Sequence, residues 1–134
     1  MLPFAVDLQL GLPVTEQILF AVKKAVVGGQ LRPGTKFPSL RVLSQELRIN
    51  PNTAQKVITA LVAEGVLITT PAVGSVVAEP GPGGRKQRSD LLGAEVERLV
   101  VEAMKLGLDQ DDVHGAVSAH WKKLSRTEKH YAYE

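Results

Sequence analysis

Cysteine is absent from the 134 residues. Disulfides and thiolate zinc sites are therefore excluded, and the composition suits a reducing compartment such as the cytoplasm. Long apolar runs are absent too, and nothing approaches the ~18 residues of a membrane span. The N-terminal MLPFAVDLQLGLP has neither a basic start nor a long apolar core, so it does not read as a secretory signal. Charge of one sign is also missing. Residues 1–79 carry seven Lys/Arg against five Asp/Glu, and residues 80–134 carry nine of each, for a formal net charge of +2. Bulk electrostatics of that size do not mark a nucleic-acid binder. Any such role must come from the placement of a few side chains.

Catalytic and metal-binding sets are missing as well. The histidines at 114, 120 and 130 have no nucleophile and acid arranged around them. His120 lies on an apolar stripe and reads as a packed or interface residue. The run from Asp109 to His114 lacks the glycine and glutamate of a calcium loop. Its acids suit a helix start. The GPGG at 81–84 follows no strand and precedes no lysine-serine pair, so it is no phosphate loop. The sequence therefore predicts no enzyme, no metal and no cofactor.

What is present is a run of helix signals in a chain long enough for one ordinary domain or two very small ones. Phe4 to Leu8 reads as an extended arm or edge strand. From Val14, apolar residues recur at three and four positions through Ile18, Ala21, Val22 and Ala25, and Gly28-Gly29 ends that helix. Arg32-Pro33-Gly34-Thr35 has proline and glycine at the centre of a type II turn. Ser39 caps a second, short helix with Leu40, Leu43 and Leu47 inward, ending near Arg48. Asn50 caps a third: Pro51 pushes Asn50 into the extended region and occupies the first helical position, where its missing N–H costs nothing.

That third helix, predicted over 51–64, separates into two faces at about 100° per residue. Ala54, Val57, Ile58 and Leu61 lie on one, and Asn52, Gln55, Lys56 and Thr59 on the other. A merely solvated face favours Glu and Lys, because Asn and Thr are poor helix formers. After Gly65, Val66–Ile68 and Ser75–Ala78 read as strands, with 69–74 as the hairpin tip. Two short helices joined by a tight turn, preceded by a helix and followed by a hairpin, predict a winged helix-turn-helix. There the second helix of the pair enters the DNA major groove. Asn and Gln can bond adenine N6 and N7 together, and a threonine methyl can meet a thymine methyl. A winged helix used for protein or RNA contact is the alternative.

Residues 79–89 read as a Pro/Gly-rich basic linker. Beyond it, Leu92, Val96, Leu99, Ala103 and Leu106 step 4-3-4-3, a coiled-coil seam. Asp109 caps a further helix whose stripe runs through Val113, Val117, His120 and Leu124, with Ala116 and Trp121 beside it. The tail RTEKHYAYE reads as loose. Two helices alone cannot cover both stripes, whereas four from two chains form a bundle. The expected organisation is mainly α with a small β-hairpin wing: a winged helix-turn-helix over 1–79, a linker over 80–90 and a two-helix dimerisation domain over 91–134. Leu92, Val96, Leu99, Ala103, Leu106, Val117 and Trp121 are the expected interface. A small-molecule effector between protomers has no identifying residue.

The stretch GGQLRPGTKFPSLRVLSQELRINPNTAQKVITALVAEGVL resembles the N-terminal domain of GntR-family bacterial transcription regulators. It carries the motifs G-x-L-x-x-G, P-S-x-R-x-L, N-x-x-T and L-x-x-E-G. The short two-helix remainder resembles the YtrA-like subfamily. The resemblance implies a cytoplasmic, dimeric repressor or regulator that binds a palindromic operator. By position it implies DNA contact by Arg41, a phosphate-facing helix start at Ser39, and base-reading contacts by Asn52, Thr53, Gln55 and Lys56. Gly74 matches the wing glycine. The uncharged Thr70-Pro71-Ala72-Val73 departs from the arginine or lysine that the family often carries at the wing tip. For Arg41, a structural ion pair with Glu46 is the competing role.

Overall fold

In the computed structural model, residues 1–81 and 83–132 are described, with side chains described as far as Ser125. The first helix, α1 (Val14–Val27), turns Ile18, Leu19, Val22 and Ala25 inward. After it, Thr35 N–H donates to Arg32 O at 3.1 Å, and Gly34 takes φ +85°. The type II turn expected there needs that left-handed angle, which glycine adopts without a Cβ penalty. Helix α2 (Leu40–Leu47) follows, and Arg48 at φ 54° closes it. Helix α3 (Pro51–Ala63) begins two residues after Ile49 and packs against both α1 and α2.

The strands β1 (Leu67–Thr70) and β2 (Gly74–Val77) pair antiparallel, Leu67 opposite Val77 and Thr70 opposite Gly74. They run closer to the tip than the sequence predicts, leaving only Pro71, Ala72 and Val73 as the turn. The segment 34–37 adds a third edge that the periodicity did not reveal. Phe37 N–H donates to Ser75 O at 2.8 Å, Val77 N–H to Thr35 O at 2.9 Å, and Lys36 bridges Val76. The wing is thereby tied to the residues that lead into α2.

Fully buried Ile18, Leu31, Phe37, Leu43, Val57, Leu61, Leu67 and Val77 make one core for these elements. Burial of side chains this size stabilises by roughly 1.5–3 kcal/mol each. The N-terminal segment is an arm rather than a strand. Phe4 is buried and stacks on Phe37, with ring centroids 5.9 Å apart and planes 7° from parallel. Besides that packing, the Met1 ammonium donates to Glu46 Oε1 at 2.7 Å, and Gln9 exchanges backbone hydrogen bonds with the Gln17 side chain at 2.7 and 3.1 Å.

The C-terminal part differs from expectation at both ends. Helix begins at Arg85, inside the expected linker, as α4 (Arg85–Asp90). It continues through a π-helical stretch, Leu91–Glu95, into α5 (Val96–Lys105). Arg85, Lys86, Gln87 and Arg88 are good helix formers, and Gln87 Oε1 accepts the Gly84 N–H at 3.0 Å, capping the start. Helix α6 (Gln110–Ala132) carries helical backbone through most of the tail that the sequence reads as loose, and Tyr133 and Glu134 lie outside the described residues. At its start Asp109 and Asp112 form a reciprocal cap. Asp112 N–H donates to Asp109 Oδ1 at 2.8 Å and Asp109 N–H to Asp112 Oδ2 at 3.0 Å. No helix among the described residues is long and apolar enough to cross a membrane.

Candidate nucleic-acid interface

The two caps set the geometry of the helix pair. Ser39 Oγ accepts the Val42 N–H at 3.2 Å. Asn50 Oδ1 accepts the Asn52 N–H at 2.7 Å, with Asn50 extended and Pro51 at the first helical position. Asn50 therefore spends its side chain on the cap. Each such cap is worth about 0.5–2 kcal/mol, and each fixes where its helix starts presenting side chains.

Helix α3 buries Ala54, Val57 and Leu61, with Ile58 half-buried. Its opposite face carries Asn52, Gln55, Lys56 and Thr59, all exposed, and Thr53 is half-buried at the edge. Gln55 Nε2 donates to Thr59 Oγ1 at 3.1 Å, one helical turn on. The spacing that places residues i and i+4 side by side makes this possible. Amides, a hydroxyl and one ammonium thus form a continuous hydrogen-bonding strip with no carboxylate in it.

Arg41 is exposed in the first turn of α2, and no ion pair engages it among the described residues. Glu46, the alternative partner, instead accepts the Met1 ammonium at 2.7 Å. Arg48, which the sequence reading did not single out, is a further exposed cation in the turn feeding α3. Its left-handed backbone is uncommon for arginine.

At the wing, Gly74 has φ +100°, and a Cβ built there would meet nothing within 4 Å. Backbone angle, not space within the chain, is what glycine supplies at this position. The tip keeps its uncharged character, with Ile68 and Val73 exposed.

The second candidate surface is apolar. Leu92, Val96, Leu99, Leu106, Val117 and Trp121 are all exposed, Leu92 at 71%, Leu106 at 73% and Trp121 at 72%. Ala103, in the same seam, is buried within the chain. A groove of about 770 Å³ runs between α5 and α6, lined by Leu99, Ala103, Leu106, Val113, Val117 and Trp121, and reaching Val27 of α1. His120 sits on the groove wall, as its place on the stripe suggests. No group of three or more His, Asp and Glu placed to hold a metal occurs among the described residues.

A core helix, two short capped helices with a polar strip on the second, and a β-hairpin packed beside them define a winged helix-turn-helix protein. Residues 14–77 match the family described as bacterial regulatory proteins, gntR family, and this segment is a domain of that family. The HTH-type transcriptional repressor YtrA of Bacillus subtilis is 26% identical over 110 residues, covering 81% of this chain and 85% of its own. A crystal structure called a transcriptional antiterminator, from Listeria monocytogenes, has the same fold. It superposes with a TM-score of 0.81 at 24% identity, over 90% of this chain and 91% of its own. The DNA-binding domain of AraR, solved in complex with operator ORX1, matches with a TM-score of 0.50 at 26% identity. That match covers 55% of this chain and 95% of the AraR domain.

Proposed function

We propose that this chain is a cytoplasmic, homodimeric transcription regulator, a repressor, that reads a palindromic operator with α3 and has no catalytic role. The observation that carries this reading is the exposed strip of Asn52, Gln55, Lys56 and Thr59 on a helix whose start is fixed by its Asn50-Pro51 cap. Side-chain amides match adenine edges in the major groove, and Lys56 matches a phosphate or a guanine. Ser39 and Arg41 at the start of α2 suit the backbone-crossing role of the first helix of the pair. Thr53 and the wing around Gly74 complete the surface. The operator complex of AraR and the repressor role of YtrA support the assignment.

Residues 1–79 are on this reading the reading head, the short segment 80–84 the link, and 85–132 the dimerisation unit. Two chains would bring the exposed seams of Leu92, Val96, Leu99 and Leu106 together with Val117 and Trp121 in a four-helix arrangement. Two heads then meet two half-sites about one helical turn apart.

Selection of random duplex DNA by the full chain, followed by sequencing, tests this. A palindromic motif is expected. Gln55→Ala should relax base preference and cost about 1–3 kcal/mol on the selected site. Selection of no motif, or an unchanged motif and affinity with Gln55→Ala, would turn the assignment toward a protein- or RNA-binding winged helix.

A further inference from the structure

The polar strip of α3 contains an internal hydrogen bond, and it ties down the end of the side chain best suited to read a base. We propose that Thr59 is a positioning residue that orients the Gln55 carboxamide so that it reads adenine. This rests on the reading of α3 as the groove-facing helix.

A glutamine side chain ends in a flat amide with one acceptor and two N–H donors. Rotation by half a turn about its last bond exchanges the oxygen and the nitrogen. Which of them faces a base edge decides what the edge must offer. Adenine presents N7 as an acceptor and N6–H as a donor, side by side, and needs one N–H and one oxygen opposite it. Guanine presents two acceptors, N7 and O6.

Here Gln55 Nε2 donates to Thr59 Oγ1 at 3.1 Å. That bond uses one of the two N–H groups and turns Nε2 toward the C-terminal side of the helix. The other N–H and Oε1 have no hydrogen-bond partner among the described residues, so one donor and one acceptor remain for a base edge. Their complement is adenine. Both residues are exposed and stand one turn apart on the strip, so no core packing competes with this arrangement. A free glutamine samples many rotamers, all of which must be surrendered on binding. Thr59 removes part of that cost in advance by holding the end of the side chain one turn along the strip. The hydroxyl thus acts on the base through Gln55, with no need to touch DNA.

The full chain and the duplex it selects from a random pool provide the test. Affinities are measured on that duplex and on all four base pairs at each position. In the wild type, one A·T pair should depend on Gln55, with Gln55→Ala lowering discrimination there by about 5- to 100-fold. Thr59→Val keeps the branched shape and deletes the hydroxyl. It should lose about two- to tenfold of the preference for adenine at that same pair, the scale of one exposed hydrogen bond. Other positions should be unaffected. Thr59→Ser should restore the preference, and Gln55→Ala/Thr59→Val should be no worse than Gln55→Ala. Thermal melting of each variant, expected near wild type, separates folding from recognition.

The inference is overturned if Thr59→Val leaves discrimination unchanged. It is also overturned if the loss is equally large without Gln55 or falls at another base pair, since Thr59 would then contact DNA itself. A Gln55-dependent G·C pair overturns it too. If Gln55→Ala alters nothing, the groove-facing reading of α3 has failed and this inference with it.

Discussion

Residues 1–79 and residues 85–132 use similar apolar side chains in opposite ways. In the first region Leu31, Leu43, Leu61 and Leu67 are sealed from solvent by one another and by Phe4, Ile18, Phe37 and Val57. In the second, Leu91, Leu92, Leu99 and Leu106 stand exposed, and Ala103 is its only buried apolar residue among those described. Both regions have helical periodicity, but periodicity creates a stripe without supplying what covers it. The first region closes its stripes with an arm, a third helix and a sheet. The second has two helices and a loop, too little chain to bury a core alone. Its surface makes physical sense as half of a bundle, and this difference can be broken by substitution.

The largest expected effect falls at Leu99, in the middle of the exposed seam. Leu99→Glu would set a charge in the proposed dimer contact, and the chain should sediment as a monomer. Loss of the second reading head should lower apparent operator affinity by a factor on the order of 10²–10⁴. Circular dichroism and thermal melting should find residues 1–79 still folded. A dimeric Leu99→Glu chain with normal affinity would move dimerisation to another surface, such as the N-terminal arm.

A core substitution should reverse that pattern. Leu61 is fully buried, so Leu61→Ala is expected to cost about 2–5 kcal/mol of stability in the first region. Leu92 is largely exposed in the single chain. Leu92→Ala should leave the unfolding of residues 1–79 unchanged and shift only the concentration dependence of dimerisation. Equal melting losses for the two variants would mean that the regions fold as one cooperative unit, and the contrast between them would dissolve.

Within the first region, recognition and stability should separate at Arg41. Its guanidinium is exposed and has no ion pair among the described residues, while Leu43 beside it is buried. Arg41→Ala is therefore expected to lower DNA affinity at least about tenfold, within the range for a lost charged contact, without lowering the melting temperature. A large melting loss with normal affinity would assign Arg41 a structural role instead.

The contrast between the regions also marks what the sequence could disclose. Local signals were legible because each is a short-range hydrogen bond or dihedral preference. Ser39 and Asn50 cap, Pro33-Gly34 turns, and Asp109 caps α6. The outward strip of α3 followed from the 3.6-residue repeat. Non-local pairing was not legible. Nothing in Thr35-Lys36-Phe37 announces that it joins Ser75–Val77, or that Phe4 reaches the ring of Phe37. The helix at Arg85 was concealed by composition, since Pro and Gly upstream drew the linker too far despite four good helix formers. At the candidate site, the hydrogen bond from Gln55 to Thr59 was open to i,i+4 reasoning, but its donor and acceptor assignment needs side-chain orientation.

The smallest expected effect lies at the wing tip. Thr70, Pro71, Ala72 and Val73 form a turn in which Val73 N–H donates to Thr70 O at 3.2 Å. Proline at the second position and a positive φ at the third are the marks of a type II turn, whose third position favours glycine. Here that position is Ala72, at φ 67°. An L-residue in the left-handed region costs roughly 1–2 kcal/mol. Glycine would relieve this but adds freedom to the unfolded chain, worth about 0.4–1 kcal/mol in the opposite direction. At the middle of each range the difference favours Ala72→Gly by about 0.8 kcal/mol, which should raise the melting temperature of residues 1–79 by roughly 3–6 °C. Self-association should not change, because the wing shares no residue with the seam. An unchanged or lower melting temperature would mean that the tip in solution avoids the left-handed angle. A simultaneous change in dimerisation would show that the two regions communicate through the wing.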